Sequence, residues 1–513
     1  MSADGHRERA IEFLRVASLY HLGSLPTEQP HPATRNLSRW ARMDLPRAIE
    51  ALRQVDLSAL EALERRAGAI AGLADAVRAT LAADRRVFLC GCGATGRLSL
   101  SLESLWRQSS VDADRVLSFM AGGDVALVHS LEGFEDHPEH GARHLREMGF
   151  ADGDLLIACT EGGETPYVIG ATFQAAAISS NPPWFVYCNT DEALTGTVER
   201  FRRVHRDPRI RKLCLYVGPM ALAGSTRMQA STALELAVGA AVLHRDVPPR
   251  ELVRALHGRV RDADLSFLEG FIRDEAAIYL DGHHVLYRVR DYGITVFTDT
   301  TERAPTFSLV PFERAGDACP RPALCYVQLD DAESASDAWR HLLQRAPRAL
   351  DWPEIDPRST SPYLQSFDFG RGVRARRRAL APDRTHHEFR IGRVGDAIRL
   401  GLEDRRQDVR IAGAPELLQH LLLKLLLNIH STLVMGRLGR YEDNLMTWVA
   451  PTNGKLVDRA ARHVRHLLAH AGHPQWSYEQ VVLRLFAEME RAEPGESVVL
   501  RTFRALLPAD RTG

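Results

Sequence analysis

Three short turns rich in glycine and hydroxyl side chains constrain the fold of this chain more than any other feature. The first, at residues 91–97, follows the apolar run 87–90, and the second, at 160–166, follows the apolar run 155–159. The third, at 224–228, precedes a stretch of helix-forming residues. A strand, a glycine turn and a helix are the arrangement in which an α/β sheet offers backbone N–H groups to a phosphate. The turns therefore predict an α/β unit that binds a phosphorylated small molecule.

The 513 residues are too many for a single core, and their patterning divides them into four regions. Residues 1–83 are predicted to form a helical cap with an extended, proline-bearing arm. Strand-like and helical runs alternate over 84–250 and again over 251–440, and residues 441–513 are predicted to be helical. Such alternation is typical of parallel sheets. We therefore predict an α/β fold with two doubly wound parallel sheets in tandem, between a helical N-terminal cap and a helical C-terminal region.

The second unit is less regular than the first. Its candidate strands are the apolar runs 285–289, 304–310, 323–329 and 397–402. An arginine-rich segment at 371–378 lies among them, and a solvated loop is its simplest interpretation. Contact with an anion or a partner is the alternative that we keep for this segment.

Composition excludes several classes of function. The formal charge is −1 and there is no long basic tract, which argues against nucleic acid as a partner. The seven cysteines lack the paired spacing of a zinc site, so we expect no metal and no cofactor. No run reaches the roughly 18–20 apolar residues of a membrane span, and the N-terminus has no signal-peptide pattern. We expect a cytoplasmic protein that does not bind a membrane.

The first turn admits two kinds of phosphate ligand. Its spacing Gly91-x-Gly93-x-x-Gly96 matches a dinucleotide fingerprint, which also requires an acidic residue at a strand end about 20 residues further on. The acidic residues near that spacing, at 112 and 114, resemble a turn instead. The hydroxyl of Thr95 and the guanidinium of Arg97 suit a phosphate monoester better.

Further segments make the chain resemble a known family. In chain order they are 27–37, 91–98, 121–124, 132–136, 165–170, 224–228, 444–446 and 452–460. The series is similar to that of the N-acetylmuramic acid 6-phosphate etherases and of their two-domain relatives, the glucokinase regulatory proteins, which share the sugar isomerase (SIS) fold. This resemblance covers most of residues 27–465. It implies two SIS domains and a phosphorylated sugar as ligand.

The resemblance also implies a pair of carboxylates. In the etherases one carboxylate removes the C2 proton of the sugar and a second protonates the departing lactate oxygen, after which water adds to the alkene. The base position falls on Glu135. The acid position of the first unit falls on Leu105, which cannot transfer a proton, and the neighbouring Glu103 is expected on the surface. The second unit keeps the acid segment at 299–307, with Glu302 in the acid position.

The two units are degenerate in complementary ways, which suggests an ancestral homodimer fused into one chain. The turn of the second unit, at 290–294, has lost most of its glycines and hydroxyls. A lysine that the family carries on the helix after the third turn is Glu235 in the first unit and Lys424 in the second. We therefore expect one ligand site, in the first unit, completed across the seam by Lys424.

The residues predicted to bind the ligand are those of the three turns together with this lysine. They are Gly93, Ala94, Thr95, Gly96, Arg97, Thr160, Glu164, Thr165, Ser225, Thr226 and Lys424. Each hydroxyl residue has helix capping as its alternative role. Glu164 departs from the etherases, which have arginine at this position, so the identity of the sugar is left open.

Loss of the acid and retention of the turns favour a sensor of a phosphorylated hexose or amino sugar. By resemblance to the glucokinase regulators, such a sensor would control a sugar kinase or another protein partner. The alternative is a working etherase or related lyase, with Glu135 as base and Glu302 or water as acid. A phosphosugar isomerase is a weaker third interpretation, because the sequence offers no clear His/Glu pair.

Overall fold

The computed structural model of the protein describes residues 5–20, 22–317, 321–493 and 495–508. The ends of the predicted first and last regions, residues 1–4 and 509–513, lie outside this description. The helices of the N-terminal cap are α1 (Gly5–Val16), α2 (Leu37–Met43), α3 (Leu45–Glu64) and α4 (Ala67–Ala82). The arm between α1 and α2 is not one extended segment, because it contains 3₁₀ turns at Pro26–Glu28 and Pro32–Thr34. A single bridge joins Pro30 to Met220 in the first unit.

The first unit contains a five-stranded sheet in which every neighbouring pair is parallel, in the order β2-β1-β3-β4-β5. Its strands are β1 (Val87–Gly91), β2 (Val116–Met120), β3 (Leu155–Thr160), β4 (Trp184–Tyr187) and β5 (Arg211–Cys214). Its helices are α5 (Ala94–Ser109), α6 (Pro138–Glu147), α7 (Pro166–Ile178), α8 (Asp191–Thr197), α9 (Glu199–Arg206) and α10 (Gln229–Leu243). The apolar runs 87–90 and 155–159 form β1 and β3, as the sequence predicts. The order reverses between β1 and β3, and open α/β sheets bind their ligands at such a point.

The second unit contains a mixed sheet in the order β10-β9-β8-β6-β7. The strands are β6 (His284–Val289), β7 (Cys325–Leu329), β8 (His386–Val394), β9 (Ala397–Leu402) and β10 (Arg405–Arg410). Strand β6 is parallel to β7 and β8, whereas β9 is antiparallel to β8 and β10. The α/β class is therefore confirmed, but this sheet is parallel on one side only. Two-residue connections after β8 and β9 permit only antiparallel hairpins, and the sequence analysis did not identify them.

The run at 304–310 is not a strand, so this part of the strand prediction is wrong. The helices of the second unit and of the link to it are α11 (Pro249–Asp262), α12 (Leu268–Leu280), α13 (Gly293–Phe307), α14 (Ala335–Leu343), α15 (Ser361–Gln365) and α16 (Val373–Leu380). The run belongs to the end of α13 and the segment after it. Buried side chains at 294, 297 and 301 follow the helical period, and Pro305 lies within the helix near its end.

The C-terminal region is helical, as predicted. Its helices are α18 (Gly454–His470), α19 (Tyr478–Arg491) and α20 (Val498–Leu506), and they follow α17 (Glu416–Arg437), the last helix of the second unit. Among the described residues α17 alone has the length and apolar composition of a membrane span, and 94% of its most apolar stretch is buried inside the protein. Helix α17 packs against α10 of the first unit and α13 of the second, and α13 also packs against α5. The two units therefore share one continuous interior.

Candidate functional site

The turn after β1 needs its three glycines for separate physical reasons. A Cβ on Gly91 would lie 2.2 Å from the carbonyl carbon of Thr95, and a Cβ on Gly96 would lie 2.6 Å from the Cβ atom of Met120. Gly93 precedes the first residue of α5 and has a φ of +54°, which favours glycine. Two of the glycines thus allow β1, α5 and β2 to pack closely, and the third allows the chain to turn into the helix.

The three predicted turns line a single cavity of about 160 Å³ at the reversal point of the first sheet. Gly93 and Ala94 contribute the start of α5, and Thr165 contributes the residue before α7. Ser225 and Thr226 contribute the turn before α10. The N-terminal ends of helices carry partial positive charge and unpaired N–H groups, so their meeting at one cavity favours an anion.

Ser225 is the clearest indication that this cavity binds a polar ligand. Its side chain is 3% exposed, and its hydroxyl has no hydrogen-bond partner among the described residues. Buried hydroxyl groups in native proteins are almost always paired, because an unpaired one forfeits its bond to water. A ligand oxygen in the cavity would supply the missing partner.

Other predicted hydroxyl groups stabilise the turns themselves. The Thr95 hydroxyl accepts from the N–H of Cys92 and donates to its carbonyl, both at 2.9 Å. The Thr160 hydroxyl accepts from the N–H of Gly163 at 3.2 Å and lies 3.0 Å from the hydroxyl of Thr165. Thr95 and Thr160 are not among the residues that line the cavity. Their geometry therefore matches the capping and turn-forming role that the sequence left as the alternative.

Glu135 and Glu302 line the same cavity, although they come from different units. Glu135 follows a 3₁₀ turn at 132–134 and is 22% exposed, and Glu302 lies on α13 and is 13% exposed. On either side of Glu302 along α13, Asp299 and Arg303 form a fully buried ion pair at 2.8 Å. Leu105 is buried and does not line the cavity. The acid position that is empty in the first unit is thus matched by a carboxylate from the second.

Each of the two carboxylates contacts a cation. The Nε atom of Arg97 lies 3.1 Å from an oxygen of Glu302, which joins the first turn to the second unit. The Nζ atom of Lys455 lies 3.3 Å from Glu135 and 2.9 Å from Glu164. Burial alone would lower the pKa of Lys455, but these two carboxylates raise it well above its usual value. A charged ammonium group is therefore fixed beside the proposed base.

Glu164 does not line the cavity and is only 2% exposed. Burial opposes its charged form, but Lys455 and Arg200 lower the pKa of Glu164 to about 2. Its carboxylate is therefore charged and holds Lys455 from behind. The structure places Glu164 where it orients that lysine, outside the residues that line the cavity.

Glu161 is a third carboxyl group of the cavity, which the sequence analysis did not select. It is 8% exposed, and one of its oxygens has no partner among the described residues. Burial raises the pKa of Glu161 to about 7, and the opposing effect of Lys455 is accompanied by repulsion from Glu302 and Glu135. This carboxyl group therefore titrates near neutral pH and can donate a hydrogen bond when protonated or accept one when ionised.

Lys424 lies behind the third turn and does not line the cavity. Its ammonium group donates to the carbonyl of Arg227 at 3.0 Å and to the hydroxyl of Thr232 at 2.7 Å. The lysine of the second unit therefore supports the turn that carries Ser225. The amine that reaches the cavity belongs to Lys455, on the first turn of α18.

The N-terminal arm holds α18 in place. Glu28, which is 5% exposed, accepts from Arg459 at 2.7 and 3.0 Å and from Arg462 at 3.2 Å. Arg459 also lines the cavity. Lys455 and Arg459 belong to the segment 452–460, which the sequence analysis matched to the family without assigning either residue to the site. The signal was present, but sequence could not show that this segment folds back onto the first unit.

The expectation that Glu103 lies on the surface is wrong. Its carboxylate is 1% exposed and accepts from the hydroxyl of Ser118 at 2.6 Å. Arg345 and Arg348, from a loop of the second unit, lie 3.1 Å from it. That loop covers a face of α5 that would be open to solvent if the first unit stood alone.

One group of side chains in the described residues has the spacing of a metal site. The potential ligand atoms of His137, Glu139 and His140 lie within 4.8 Å of one another near the start of α6. The group is largely exposed, and none of its members lines the cavity. It contributes nothing to the chemistry of the candidate site.

Comparison with known proteins agrees with the geometry. A family model described as the glucokinase regulatory protein N-terminal SIS domain matches residues 70–176. An N-acetylmuramic acid 6-phosphate etherase from Serratia proteamaculans is 32% identical over 217 residues, which cover 42% of this chain and 68% of that protein. The enzyme of the same name from Gloeobacter violaceus is 34% identical over 213 residues, or 41% of this chain and 65% of that protein. The chain thus spans about two thirds of the length of the relatives it matches.

A solved structure, the C-terminal domain of glucosamine-fructose-6-phosphate aminotransferase from Francisella tularensis, is also similar to this chain. Its sequence is 9% identical, and the match covers 74% of this chain and 96% of that one with a TM-score of 0.31. A similarity this low has no bearing on function.

Proposed function

Because this chain belongs to the family of N-acetylmuramic acid 6-phosphate etherases, we propose that its first unit binds a phosphorylated amino sugar and cleaves the lactyl ether of N-acetylmuramic acid 6-phosphate. The observation that carries the proposal is that Glu135 and Glu302 line one cavity together with the three anion-binding turns. A lyase of this type needs two carboxyl groups with opposite tasks. Leu105 cannot supply the acid that this activity requires. Glu302 supports the proposal because it offers a carboxyl group in the same cavity.

The phosphate would bind where the turns meet. The first residues of α5, the residue before α7 and the unpaired hydroxyl of Ser225 all line that part of the cavity. Arg459 and Lys455 add positive charge from α18. Charge-assisted bonds to backbone N–H groups, a hydroxyl and two cations are a combination typical of phosphate recognition.

Glu135 would act as the base. The ammonium group of Lys455 lies 3.3 Å from its carboxylate and orients it at the cavity. Glu302 would act as the acid, with its carboxyl group held in place by Arg97 at 3.1 Å. Glu161, whose pKa is raised to about 7 by burial, adds a group that can hold a proton in the same cavity.

A regulatory phosphosugar sensor is the second candidate, and one observation favours it. Both carboxylates form ion pairs with cations, and such pairs suit ligand-responsive contacts between the two units as well as they suit catalysis. The matched glucokinase regulatory domain supports the same function. In this case the protein would bind the phosphorylated sugar without consuming it, and a sugar kinase or another protein would be its partner.

Incubation of the purified protein with N-acetylmuramic acid 6-phosphate separates the two candidates. The lyase proposal predicts stoichiometric release of lactate, which is measured with a coupled dehydrogenase assay. Glu135→Gln should lower the rate by about 10³-fold, in the range that general acid–base groups contribute. Glu139→Gln is the matched control, because Glu139 is 65% exposed and lies outside the cavity.

Absence of lactate would contradict the lyase proposal. If phosphorylated sugars nevertheless raise the melting temperature, and Ser225→Ala reduces that rise, the sensor function is supported instead. A lactate signal that survives unchanged in Glu135→Gln would show that the assigned base is wrong.

A further inference from the structure

The mixed sheet of the second unit has an open groove on one face. The groove has a volume of about 640 Å³ and is lined mainly by residues of β6, β8, β9 and β10. Strand β9 shows the reason: Ile398, Leu400 and Leu402 are buried in the core, whereas the alternate positions 399 and 401 face the groove and are half-buried. A volume of this size lies within the range of small-molecule sites.

The groove has an excess of positive charge. Seven arginines and four carboxyl groups line it, and no lysine does. The carboxylate of Glu388 is shared by Arg288 and Arg374, both at 3.1 Å, and by Arg390 at 2.5 Å. Asp330 also accepts from Arg288, at 3.0 Å, so these three guanidinium groups face two carboxylates and one positive charge is left at this point.

Two glycines open the floor of the groove down to the backbone. Gly401 pairs with Arg390 across the strands, and Gly392 pairs with Arg399. Neither glycine has a positive φ, and the nearest atoms to an added Cβ lie at 3.7 Å from Gly401 and at 3.5 Å from Gly392, which is ordinary contact. Glycine weakens a strand and often marks close approach of a ligand. The backbone does not require glycine at either position, and the missing side chains leave the floor open to a ligand.

The arginine-rich segment of the sequence contributes to this groove. Arg376 and Arg377 of that segment pair with Asp368 and Glu313 inside the second unit. Arg374, one helical turn before Arg377 on α16, faces the groove instead. The segment is therefore partly structural, and Arg374 is its one residue that is placed to contact an anion in the groove.

We propose that this groove is a second anion site, which binds a phosphorylated small molecule between Arg374, Arg390 and Arg399. Arginine offers a planar fork of donors that matches phosphate oxygens in pairs. Arg374 and Arg390 lie at the glycine floor with Arg399, whose guanidinium also pairs with Asp408 at 2.7 Å. The carboxyl groups that also line the groove disfavour a long polyanion such as nucleic acid. The site is separate from the cavity of the first unit, with which it shares no lining residue.

Titration with inorganic pyrophosphate, followed by isothermal calorimetry, tests the proposal. We expect saturable binding that weakens at least tenfold in the double variant Arg374→Ala/Arg390→Ala. Gly401→Val, which fills the floor without changing charge, should weaken it to a similar degree. Arg254→Ala is the control for lost surface charge, since this arginine is 62% exposed on α11, far from the groove in sequence and absent from its lining.

Identical titrations for the wild-type protein, Gly401→Val and the double variant would overturn the proposal, because all binding would then belong to the first unit. If pyrophosphate does not bind, but a poly-glutamate peptide binds tightly and its binding is weakened by Gly401→Val, the ligand is an acidic protein segment. That result would overturn the small-molecule class. Circular dichroism checks folding, and Arg399→Gln provides an independent test if the double variant fails to fold.

Discussion

The two units use the same strand–turn–helix arrangement in opposite ways. After β1 the turn is built from glycines and opens into the cavity with the unpaired hydroxyl of Ser225. After β6 the equivalent turn carries Tyr292, which is 2% exposed and donates to the side-chain oxygen of Gln419 at 2.8 Å. Close by, the hydroxyl of Thr295 lies 2.7 Å from a ring nitrogen of His420. Side chains of the second unit thus bond to one another at this turn, which lines a separate cavity of about 280 Å³.

The helices that follow these turns differ in the complementary sense. Helix α5 carries a buried leucine at position 105, whereas α13 directs Glu302 into the cavity of the other unit. The two helices pack against each other, so a side chain on one can complete the site of the other. This arrangement supports the proposal of a fused ancestral dimer in which each unit kept what a single shared site needs.

The largest effect should come from removing the group that the second unit lends to the first. We expect Glu302→Gln to lower lactate release by about 10²–10³-fold, because the leaving oxygen would lose its proton donor. Binding of the phosphorylated sugar should change far less, since the turns are intact. Steady-state rates and calorimetry on the same preparation measure both quantities.

Leu105→Glu provides the matched test of the comparison. Added to Glu302→Gln, it should not restore activity, since Leu105 is 3% exposed and lies outside the cavity lining. Recovery of lactate release in the double variant would show that the acid can act from the first unit, contrary to the arrangement described above.

The next effect concerns the stability of the two turns. Gly91→Ala should lower the free energy of unfolding by about 3 kcal/mol or more, because its Cβ would lie 2.2 Å from backbone atoms of Thr95. Gly293→Ala, at the start of α13, should change it by less than about 1 kcal/mol. There the added Cβ would lie 3.1 Å from the end of the Leu329 side chain, which can move.

Urea unfolding of both variants measures the difference. Equal destabilisation would mean that the second turn is as tightly constrained as the first, and the contrast between the two turns would then lose its structural basis.

How much of this could be predicted from sequence depends on whether the signal is local. The strands of the first sheet and the three turns were predictable, because apolar runs, glycines and hydroxyl residues lie next to one another in the chain. Glu135 and Glu302 were also identified as a potential pair. What could not be predicted was that α13 packs against α5, which decides whether Glu302 faces the cavity of the first unit.

The errors have the same physical origin. Glu103 was expected on the surface because its neighbours in the sequence leave it open to solvent. In the structure a loop more than 240 positions away covers it with Arg345 and Arg348. Lys424 was expected in the site because the family carries a lysine there, but the third turn lies between its ammonium group and the cavity. The run at 304–310 was expected to be a strand because it is apolar, whereas helix α13 extends through Pro305 into this run.

A smaller effect on stability is expected from Glu235 on α10, which stands where the second unit has Lys424 on α17. Burial raises the pKa of Glu235 to about 7, although Lys424 opposes this. A carboxyl group whose pKa is raised on folding stabilises the protein while it is protonated, and this contribution is lost as the pH rises through the folded value. Between about pH 5 and pH 8 the wild-type protein should therefore lose about 1–3 kcal/mol relative to Glu235→Gln.

Urea unfolding at both pH values for the two proteins measures this difference. Parallel pH profiles would show that Glu235 keeps its charge in the folded protein and that its contrast with Lys424 has no energetic consequence.

The smallest effect separates the hydroxyl that awaits a ligand from the one that holds a turn. Ser225→Ala should weaken binding of the phosphorylated sugar about three- to tenfold, as one lost hydrogen bond predicts, without lowering stability, since the Ser225 hydroxyl has no partner within the described protein. Thr95→Val should instead lower the free energy of unfolding by about 1–2 kcal/mol, because both bonds to Cys92 are lost. Calorimetry and urea unfolding of the two variants give the four values. If Ser225→Ala lost stability and kept full affinity, the hydroxyl would have a structural partner, and the cavity would lose its strongest indication of a ligand.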